Sequence, residues 1–168
     1  MLCRALLLAA LTLAGCGYHV AGRGSLLPKQ IHTIAVPSFN NLTARTRLSD
    51  VLPRDIAREI LSRTRYRVVA DPNDADAILS GSILTYSSYP TILDGGRAAS
   101  MQVIVTVQAR LTSRETGQIL FDRPTMEARE RYEVSIEQSA FFDESVAALD
   151  RVSRDVARSV VSGVLENF

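Results

Sequence analysis

The stretch of sequence that decides the fold is residues 101–111, MQVIVTVQARL. Every odd-numbered position in this stretch is apolar, and the even-numbered positions are polar except for Ile104. Because successive side chains of a β-strand point to opposite faces, this alternation is typical of a strand with one face on a core and the other face open. The pattern therefore predicts a half-buried strand at the centre of a sheet.

Downstream of this strand, the chain continues the β pattern. Thr116 and Gly117 predict a hairpin turn, and residues 118–121 (QILF) form the returning strand of that hairpin. Pro124 is expected to interrupt this strand. Residues 125–136 alternate again, with apolar residues on one side and charged residues on the other. From about residue 139 to 167, apolar residues recur at three- and four-residue intervals, which predicts a long amphipathic helix.

Upstream, the pattern predicts a strand, a helix and a second strand. Residues 31–36 (IHTIAV) form the first strand, residues 38–43 a polar loop, and residues 66–70 the next strand. An amphipathic helix lies between them and ends near Thr64. Because proline removes a helical hydrogen bond, Pro53 leaves two alternatives: a helix capped by Ser49, or a longer helix from about Thr43 that is kinked.

Residues 71–76 predict a turn that precedes the next strand. Asp71, Asp74 and Asp76 resemble calcium ligands only superficially, since Pro72 and the lack of a glutamate at the twelfth position favour a turn. Residues 75–89 are an apolar segment in which Gly81 is expected to bend or bulge a strand. Residues 90–100 (PTILDGGRAAS) are predicted to form an eleven-residue connection.

These elements predict an α+β fold, a two-layer sandwich with two amphipathic helices on one face of a mixed, mainly antiparallel sheet of about four or five strands. Each helix has one apolar surface to bury, and a single face of the sheet can bury both. The other sheet face is then polar and available to a partner, and it carries Gln102, Thr106, Gln108, Arg110, Arg129 and Arg131.

The N-terminus has the features of an exported lipoprotein. Arg4 precedes a nine-residue apolar run, which is long enough for a signal peptide and too short to span a bilayer. The run ends in Leu13, Ala14, Gly15 and Cys16, which resembles a lipobox. This resemblance implies a signal peptide at residues 1–15, and a diacylglycerol and an N-acyl chain on Cys16, as a membrane anchor. Residues 16–30 are interpreted as the lipidated tether and residues 31–168 as a single domain.

The composition excludes several classes of function. The chain has 19 basic and 18 acidic residues, and removal of the signal peptide with Arg4 leaves 18 of each, so nothing favours nucleic acid binding. With Cys3 removed with the signal peptide and Cys16 lipidated, no cysteine is left for catalysis or a zinc site, and neither His19 nor His32 has a plausible catalytic setting. We therefore predict a protein that is not an enzyme, with no metal and no cofactor apart from the covalent lipid.

Several segments together resemble the LptE family of lipopolysaccharide-assembly lipoproteins. They are CGYH (residues 16–19), IHTIAVPSFNN (31–41), ADAILSGSILTYSSYP (75–90) and GRAASMQVIVTVQARLTSRETGQILF (96–121), followed by the terminal helix. The resemblance implies an outer-membrane lipoprotein that binds lipopolysaccharide and plugs the LptD β-barrel, with two helices against about four strands. Gly17 agrees with this localisation, because an aspartate after the lipidated cysteine is the enterobacterial signal for inner-membrane retention.

If the resemblance holds, residues 90–100 reach into the barrel and arginines contact lipid A phosphates. Arginine geometry suits phosphate, and the candidates are Arg97, Arg110, Arg129 and Arg131. Two alternatives stay open. In the first, TIAVPSFNN and ADAILSGSI are also similar to the periplasmic domain of curli-secretion pores and of lipoprotein activators of peptidoglycan synthases. In the second, the chain is a hydrolase that uses one of its many serines.

Overall fold

The computed structural model describes residues 27–134 and 138–166. The predicted signal peptide, Cys16, His19 and most of the predicted tether lie outside the described residues, so these interpretations stay predictions. The described elements, in chain order, are β1 (Thr33–Ala35), β2 (Asn40–Asn41), α1 (Arg47–Arg63), β3 (Arg67–Val69), β4 (Ala77–Asp94), β5 (Arg97–Ser113), β6 (Ile119–Glu133) and α2 (Gln138–Glu166).

The strands form one mixed sheet in the order β3-β1-β4-β5-β6, and the short β2 pairs with β4. The strand β1 is parallel to both β3 and β4, whereas β4, β5 and β6 are antiparallel neighbours. The predicted fold class is confirmed: two helices pack on this sheet as an α+β sandwich. Arg47 pairs with Asp150 at 3.3 Å, and Arg63 donates to Ser162 at 2.7 Å, so α1 and α2 run in the same direction.

The core lies between the helices and the face of the sheet that the alternation predicted. Val103, Val105, Val107, Ala109 and Leu111 of β5 are each at most 1% exposed. They pack in one cluster with apolar residues of both helices. These helical residues are Leu48, Val51, Leu52, Ile56 and Ile60 of α1, and Ala148, Leu149, Val152, Val156, Ala157, Val160, Val161 and Val164 of α2.

The predicted connection over residues 90–100 is wrong, because β4 and β5 continue through it as a long hairpin. Only Gly95 and Gly96 form the turn, with φ of +55° and +80°. Two-residue hairpin turns need positive φ, which glycine adopts without steric cost. Beyond Pro90 the pairing of β4 with β5 shifts, and the Thr91 hydroxyl donates to the Ser100 hydroxyl at 3.1 Å. The hairpin is therefore much longer than the sequence patterns indicated.

The predicted interruption at Pro124 is also wrong, since β6 runs without a break from Ile119 to Glu133. Ala109 pairs with Arg123 and Val107 pairs with Met126, so β6 accommodates one extra residue around the proline. Prolines are tolerated in edge strands and at bulges because no neighbouring strand needs their missing N–H. The predicted alternation is confirmed over the described part of β6; Ile136 lies outside the described residues.

The helix α1 begins at Arg47, between the two predicted starting points, and continues past Pro53. Ser49 does not cap the helix; its hydroxyl oxygen accepts a hydrogen bond from the Asn41 side chain at 3.0 Å. Asn41 itself belongs to β2, a two-residue strand inside the predicted polar loop. The strands β1 and β3 are shorter than the predicted strands, with three residues each.

Gly81 is needed for a reason other than the predicted bend or bulge. It keeps its register opposite Ala109, and the irregularity in β4 lies further on, between Ile83 and Thr85. A Cβ atom on Gly81 would lie 2.2 Å from a ring carbon of Phe39 and 2.5 Å from the carbonyl oxygen of Gln108. The missing side chain therefore makes room for the buried ring of Phe39 against the sheet.

The predicted turn at residues 71–74 is confirmed as one turn of 3₁₀ helix, in which the Asp71 carboxylate accepts from the N–H of Asn73 at 2.8 Å. Asp76 has a different structural role: its Oδ2 accepts from the backbone N–H groups of His32 and Thr33, at 2.8 and 2.9 Å. These two hydrogen bonds lower the pKa of Asp76. The carboxylate thus ties the start of β1 to the start of β4.

We expect the Asp76→Ala variant to lose about 2 kcal/mol of unfolding free energy at pH 7, because hydrogen bonds to a charged acceptor contribute more than neutral ones. A carboxylate whose pKa is lowered in the folded state contributes stability above its unfolded pKa of about 3.9, and this contribution disappears as the pH falls through the folded value. Urea unfolding at pH 7 and at pH 3 measures both effects, and the difference between wild type and variant should shrink at pH 3.

Asp74→Ala is the matched control, since Asp74 is an exposed aspartate two residues away. We expect this variant to change the unfolding free energy by less than about 0.5 kcal/mol. Equal losses in the two variants, or a difference for Asp76→Ala that does not depend on pH, would contradict the assigned role of Asp76.

Candidate functional site

The candidate site is the face of the sheet that points away from the helices, here called the open face. Its β5 positions, Gln102 to Arg110 at every second residue, are partly exposed, whereas the intervening positions are buried. Residues of β4 and β6 that pair with these β5 positions extend the face, and Thr85 donates to Thr106 across it at 2.9 Å. The predicted polar face is therefore present, and it is rich in hydroxyl and amide groups.

Two of the four predicted arginines are engaged in ion pairs on the open face. Arg110 makes two hydrogen bonds to the carboxylate of Asp122, at 3.2 and 3.0 Å, and these bonds raise the pKa of Arg110. Arg129 pairs with Glu127 two residues earlier on β6. Because each charge is offset by a neighbouring carboxylate, these two arginines have less capacity to attract an additional anion.

The other two predicted arginines, Arg97 and Arg131, are exposed. No carboxylate of the described residues lies within ion-pair distance of either guanidinium. Arg97 begins β5 at the hairpin turn, and Arg131 stands opposite Gln102, five residues further along β5. Thirteen residues separate Arg97 from Arg110, about 43 Å at ~3.3 Å per residue. The structure therefore does not bring the four arginines together as one cluster.

A second feature lies beside the open face, where the outer edge of β4 becomes free. The strand β2 pairs with Ser82 and Ile83, and the N–H of Leu42 donates to the Ile83 carbonyl oxygen at 3.0 Å. Beyond that point no other strand of the described residues covers this side of β4. We call residues 84–94 (LTYSSYPTILD) the free edge; its single charged residue is Asp94 at the end.

A groove of about 490 Å³ marks the start of the free edge. Leu42 is 65% exposed beside the groove, and the guanidinium carbon of Arg45 lies 4.8 Å from the centre of the Tyr86 ring. In the described part of the chain this cation has an aromatic partner and no carboxylate within ion-pair distance. The residues that line the groove are Leu42, Thr43, Ala44, Arg45, Leu84, Thr85 and Tyr86.

The tip of the β4–β5 hairpin is apolar as well as charged. Ile92 and Leu93 are 53% and 66% exposed, and Tyr89 is exposed on the same strand. Arg97 follows them across the turn. Exposed apolar residues that occur together mark a surface suited to a partner, whereas single ones need no explanation.

The free edge and the groove were not predicted from the sequence. They depend on β4 passing beyond β2 and through residues 90–94, which belong to the predicted connection. The signal that pointed to the true length is Asp94-Gly95-Gly96-Arg97, since Asp-Gly and Gly-Gly are the dipeptides that two-residue hairpin turns prefer.

His32 is exposed at the start of the sheet, and its backbone N–H contacts Asp76. The described residues contain no cluster of three or more metal-ligating side chains. Neither described helix is long and apolar enough to cross a membrane.

Solved structures share this fold at low sequence identity. Lipoprotein B from Nitrosomonas europaea has a TM-score of 0.55 and 17% identity, over 84% of this chain and 90% of the other. The rare lipoprotein B from Shewanella oneidensis has a TM-score of 0.52 and 15% identity, over 77% of this chain and 91% of the other. The PelC dodecamer from Paraburkholderia phytofirmans has a TM-score of 0.51 and 17% identity, over 80% of this chain and 87% of the other. At these identities the likeness establishes the fold.

Fold and surface together define a helix-backed sheet module with a polar open face. The family follows from the sequence: the model of LptE, described as lipopolysaccharide-assembly, matches residues 31–163. The chain therefore belongs to the LptE family, and the predicted resemblance is confirmed. No curated protein matches the chain in sequence. The family match disfavours the curli-pore and peptidoglycan-synthase alternatives.

Proposed function

We propose that this chain is an outer-membrane lipoprotein, anchored through lipid on Cys16, whose domain plugs an LptD-type β-barrel and assists lipopolysaccharide assembly at the cell surface. The observation that carries this proposal is the match of residues 31–163 to the lipopolysaccharide-assembly family. The domain itself needs no catalytic group for this role, and the absence of enzymatic activity stays a prediction, to be tested with ester and peptide substrates.

The open face supports a position inside a barrel. The lumen of a large outer-membrane barrel is polar and filled with water, so a protein inside it must present polar surfaces. Serine, threonine and glutamine side chains dominate the open face, and Arg110 with Asp122 and Arg129 with Glu127 are paired there. A surface of this kind stays solvated and still offers hydrogen bonds to the lumen wall.

The length of the hairpin supports the same position. From residue 84 to the turn and back, each strand contributes about eleven residues beyond β2, which corresponds to about 36 Å at ~3.3 Å per residue. The hydrocarbon core of a bilayer is ~30 Å thick. A domain held at the periplasmic opening of a barrel would therefore place Leu93 and Arg97 close to the opposite opening.

Crosslinking in cells tests the partner. The native lipoprotein, with a photoreactive residue in place of Gln102 on the open face, is irradiated in growing cells and purified. Recovery of a β-barrel of the LptD type supports the proposal. Recovery of a peptidoglycan synthase or a curli pore, with no barrel, would overturn it. The same residue in place of Asp74, which lies on a distant 3₁₀ turn, controls for contacts that do not depend on the open face.

We expect the phosphate contacts to depend on the two arginines without carboxylate partners. The double variant Arg97→Gln/Arg131→Gln should bind lipopolysaccharide about tenfold more weakly for each arginine that contacts a phosphate, because a charge-assisted hydrogen bond contributes roughly 1.5–3 kcal/mol. Equilibrium binding of labelled lipopolysaccharide to the purified domain measures this loss.

The matched control is the double variant Arg110→Gln/Arg129→Gln, which removes the same number of charges from arginines already paired with Asp122 and Glu127. Its affinity should stay within about threefold of wild type, as expected for exposed charges. If a variant in which all four arginines are replaced by glutamine binds lipopolysaccharide as tightly as the wild type does, none of the four contacts the lipid.

A further inference from the structure

We propose that the free edge of β4 binds an extended segment of the partner barrel protein, which adds to the sheet as a further strand beside residues 84–94. The inference rests on the proposed function, because it takes the barrel as the partner. It adds the mode of contact: main-chain hydrogen bonds to one strand edge, with the groove at the start of that edge receiving an apolar side chain.

The two outer strands of the antiparallel part of the sheet differ in protection. An unpaired strand edge offers a row of N–H and C=O groups, and proteins normally protect it with charges, prolines or bulges. The strand β6 has all three, with a bulge at Pro124 and charged residues at every second position from Glu127 to Glu133. The free edge of β4 also has a proline, Pro90, and shifts in its pairing with β5, but it has no charged side chain until Asp94.

The pairing of β2 identifies which backbone groups face outward on the free edge. The carbonyl of Ile83 faces β2, and the bulge between Ile83 and Thr85 shifts the alternation by one residue. Outward groups then belong to Tyr86, Ser88 and Pro90. The proline fits this assignment, because a proline in a sheet lies where its missing N–H faces away from the neighbouring strand.

The groove determines the chemistry of the segment. Leu42 and Leu84 form its apolar lining, and the exposed guanidinium of Arg45 lies over Tyr86 at its rim. An extended segment with an apolar residue near an acidic residue would cover the leucines and pair with the arginine. Strand addition works in this way in general: the main chain supplies affinity, and pockets select alternate side chains.

The geometry favours a loop or terminal segment over the barrel wall and over a second copy of this chain. Strands in a closed barrel wall are already paired on both sides, so the wall has no edge to offer. An antiparallel pair of two β4 edges centred on Tyr89 would bring a proline from each copy to the centre, and each would remove a donor from the ladder. A segment from another protein meets only one of these prolines, so the ladder loses one donor fewer.

Hydrogen–deuterium exchange tests the inference on the full-length lipoprotein, alone and in its purified complex with the barrel protein. We expect the amides of Tyr86 and Ser88 to exchange about tenfold more slowly in the complex, because they gain acceptors there. A complex in which these amides exchange as in the free protein overturns the strand addition and leaves the proposed function intact. Failure to form any complex overturns both, and slow exchange in a dimer of the free chain identifies a second copy and overturns the inference.

Ser88→Pro, compared with Ser88→Ala, separates the amide from the side chain. Both variants lose the hydrogen bond between Ser88 and Tyr132, and only the proline variant loses the outward N–H. We expect the two free proteins to melt within a few degrees of each other, and the proline variant to bind the barrel about tenfold more weakly. Equal affinities contradict the inference. If the proline variant melts much lower than the alanine variant, the Ser88 amide faces β5. The inference is then tested by amide exchange in the wild-type complex.

Discussion

The Gly81→Ala variant is expected to lose about 3 kcal/mol of unfolding free energy, although it adds a single methyl group. That methyl group would lie 2.2 Å from the Phe39 ring and 2.5 Å from the Gln108 carbonyl oxygen. Phe39 is buried, and the oxygen belongs to the backbone of a paired strand, so neither can move away cheaply. Overfilling a packed interior typically costs 1–3 kcal/mol. Urea unfolding followed by circular dichroism measures the loss.

A double-mutant cycle assigns this loss to the ring. Phe39→Ala alone should cost about 3–5 kcal/mol through the cavity it leaves. In that background Gly81→Ala should cost at least 1 kcal/mol less than it does in the wild type, because the closest contact is gone. Ser82→Ala, on the other face of the same strand, should change stability by less than about 0.5 kcal/mol. Additive effects of the Phe39 and Gly81 substitutions would contradict the proposed contact.

The Phe121→Ala variant is expected to lose about 3–5 kcal/mol, the range for a fully buried phenylalanine. The ring is 1% exposed and packs against α2, where a Cβ atom on Gly163 would lie 2.8 Å from its edge. The loss of this ring removes a buried contact between β6 and α2 at Gly163. Thermal unfolding monitored by circular dichroism should show the transition at a clearly lower temperature.

Gly163 provides the control for this contact, because the effect of Gly163→Ala on stability should have opposite signs in the wild type and in the Phe121→Ala variant. Alanine is favoured over glycine in a helix by about 1 kcal/mol. In the wild type the clash with Phe121 should outweigh that preference, so Gly163→Ala should destabilise the protein by about 1 kcal/mol. In the Phe121→Ala background the clash is absent, and Gly163→Ala should stabilise the protein. The same sign in both backgrounds would show that the ring and the glycine are not coupled.

The predictable part of the fold is the part governed by local pattern. The alternation in residues 101–111 and 125–133 predicted which side chains of β5 and β6 are buried, because the period of a strand is a property of the chain itself. The helices and the turn at residues 71–74 followed from local pattern in the same way. The open face, with Arg110, Arg129 and Arg131, was therefore also predictable.

The largest errors concern prolines and the pairing of segments that are far apart in the chain. The predicted connection begins at Pro90 and the predicted interruption lies at Pro124, but whether a proline interrupts a strand depends on whether a neighbouring strand needs its N–H. That is a property of the sheet and not of the local sequence. The order β3-β1-β4 and the pairing of Asn41 with Ile83 join segments far apart in the chain, which no local pattern encodes. The free edge and its groove follow from those pairings, so the sequence patterns could not indicate them.

The arrangement of the sheet also has a consequence for how the protein folds. The pairings among β4, β5 and β6 join strands that follow one another directly, whereas the parallel contacts of β1 with β3 and β4 enclose the helix α1. Closing a longer loop costs more chain entropy and slows folding. We therefore expect the three-stranded meander to form first and to act as the template on which β1 and the helices assemble. Phi-values near one in the meander, and near zero in β1, would be the kinetic signature of that order.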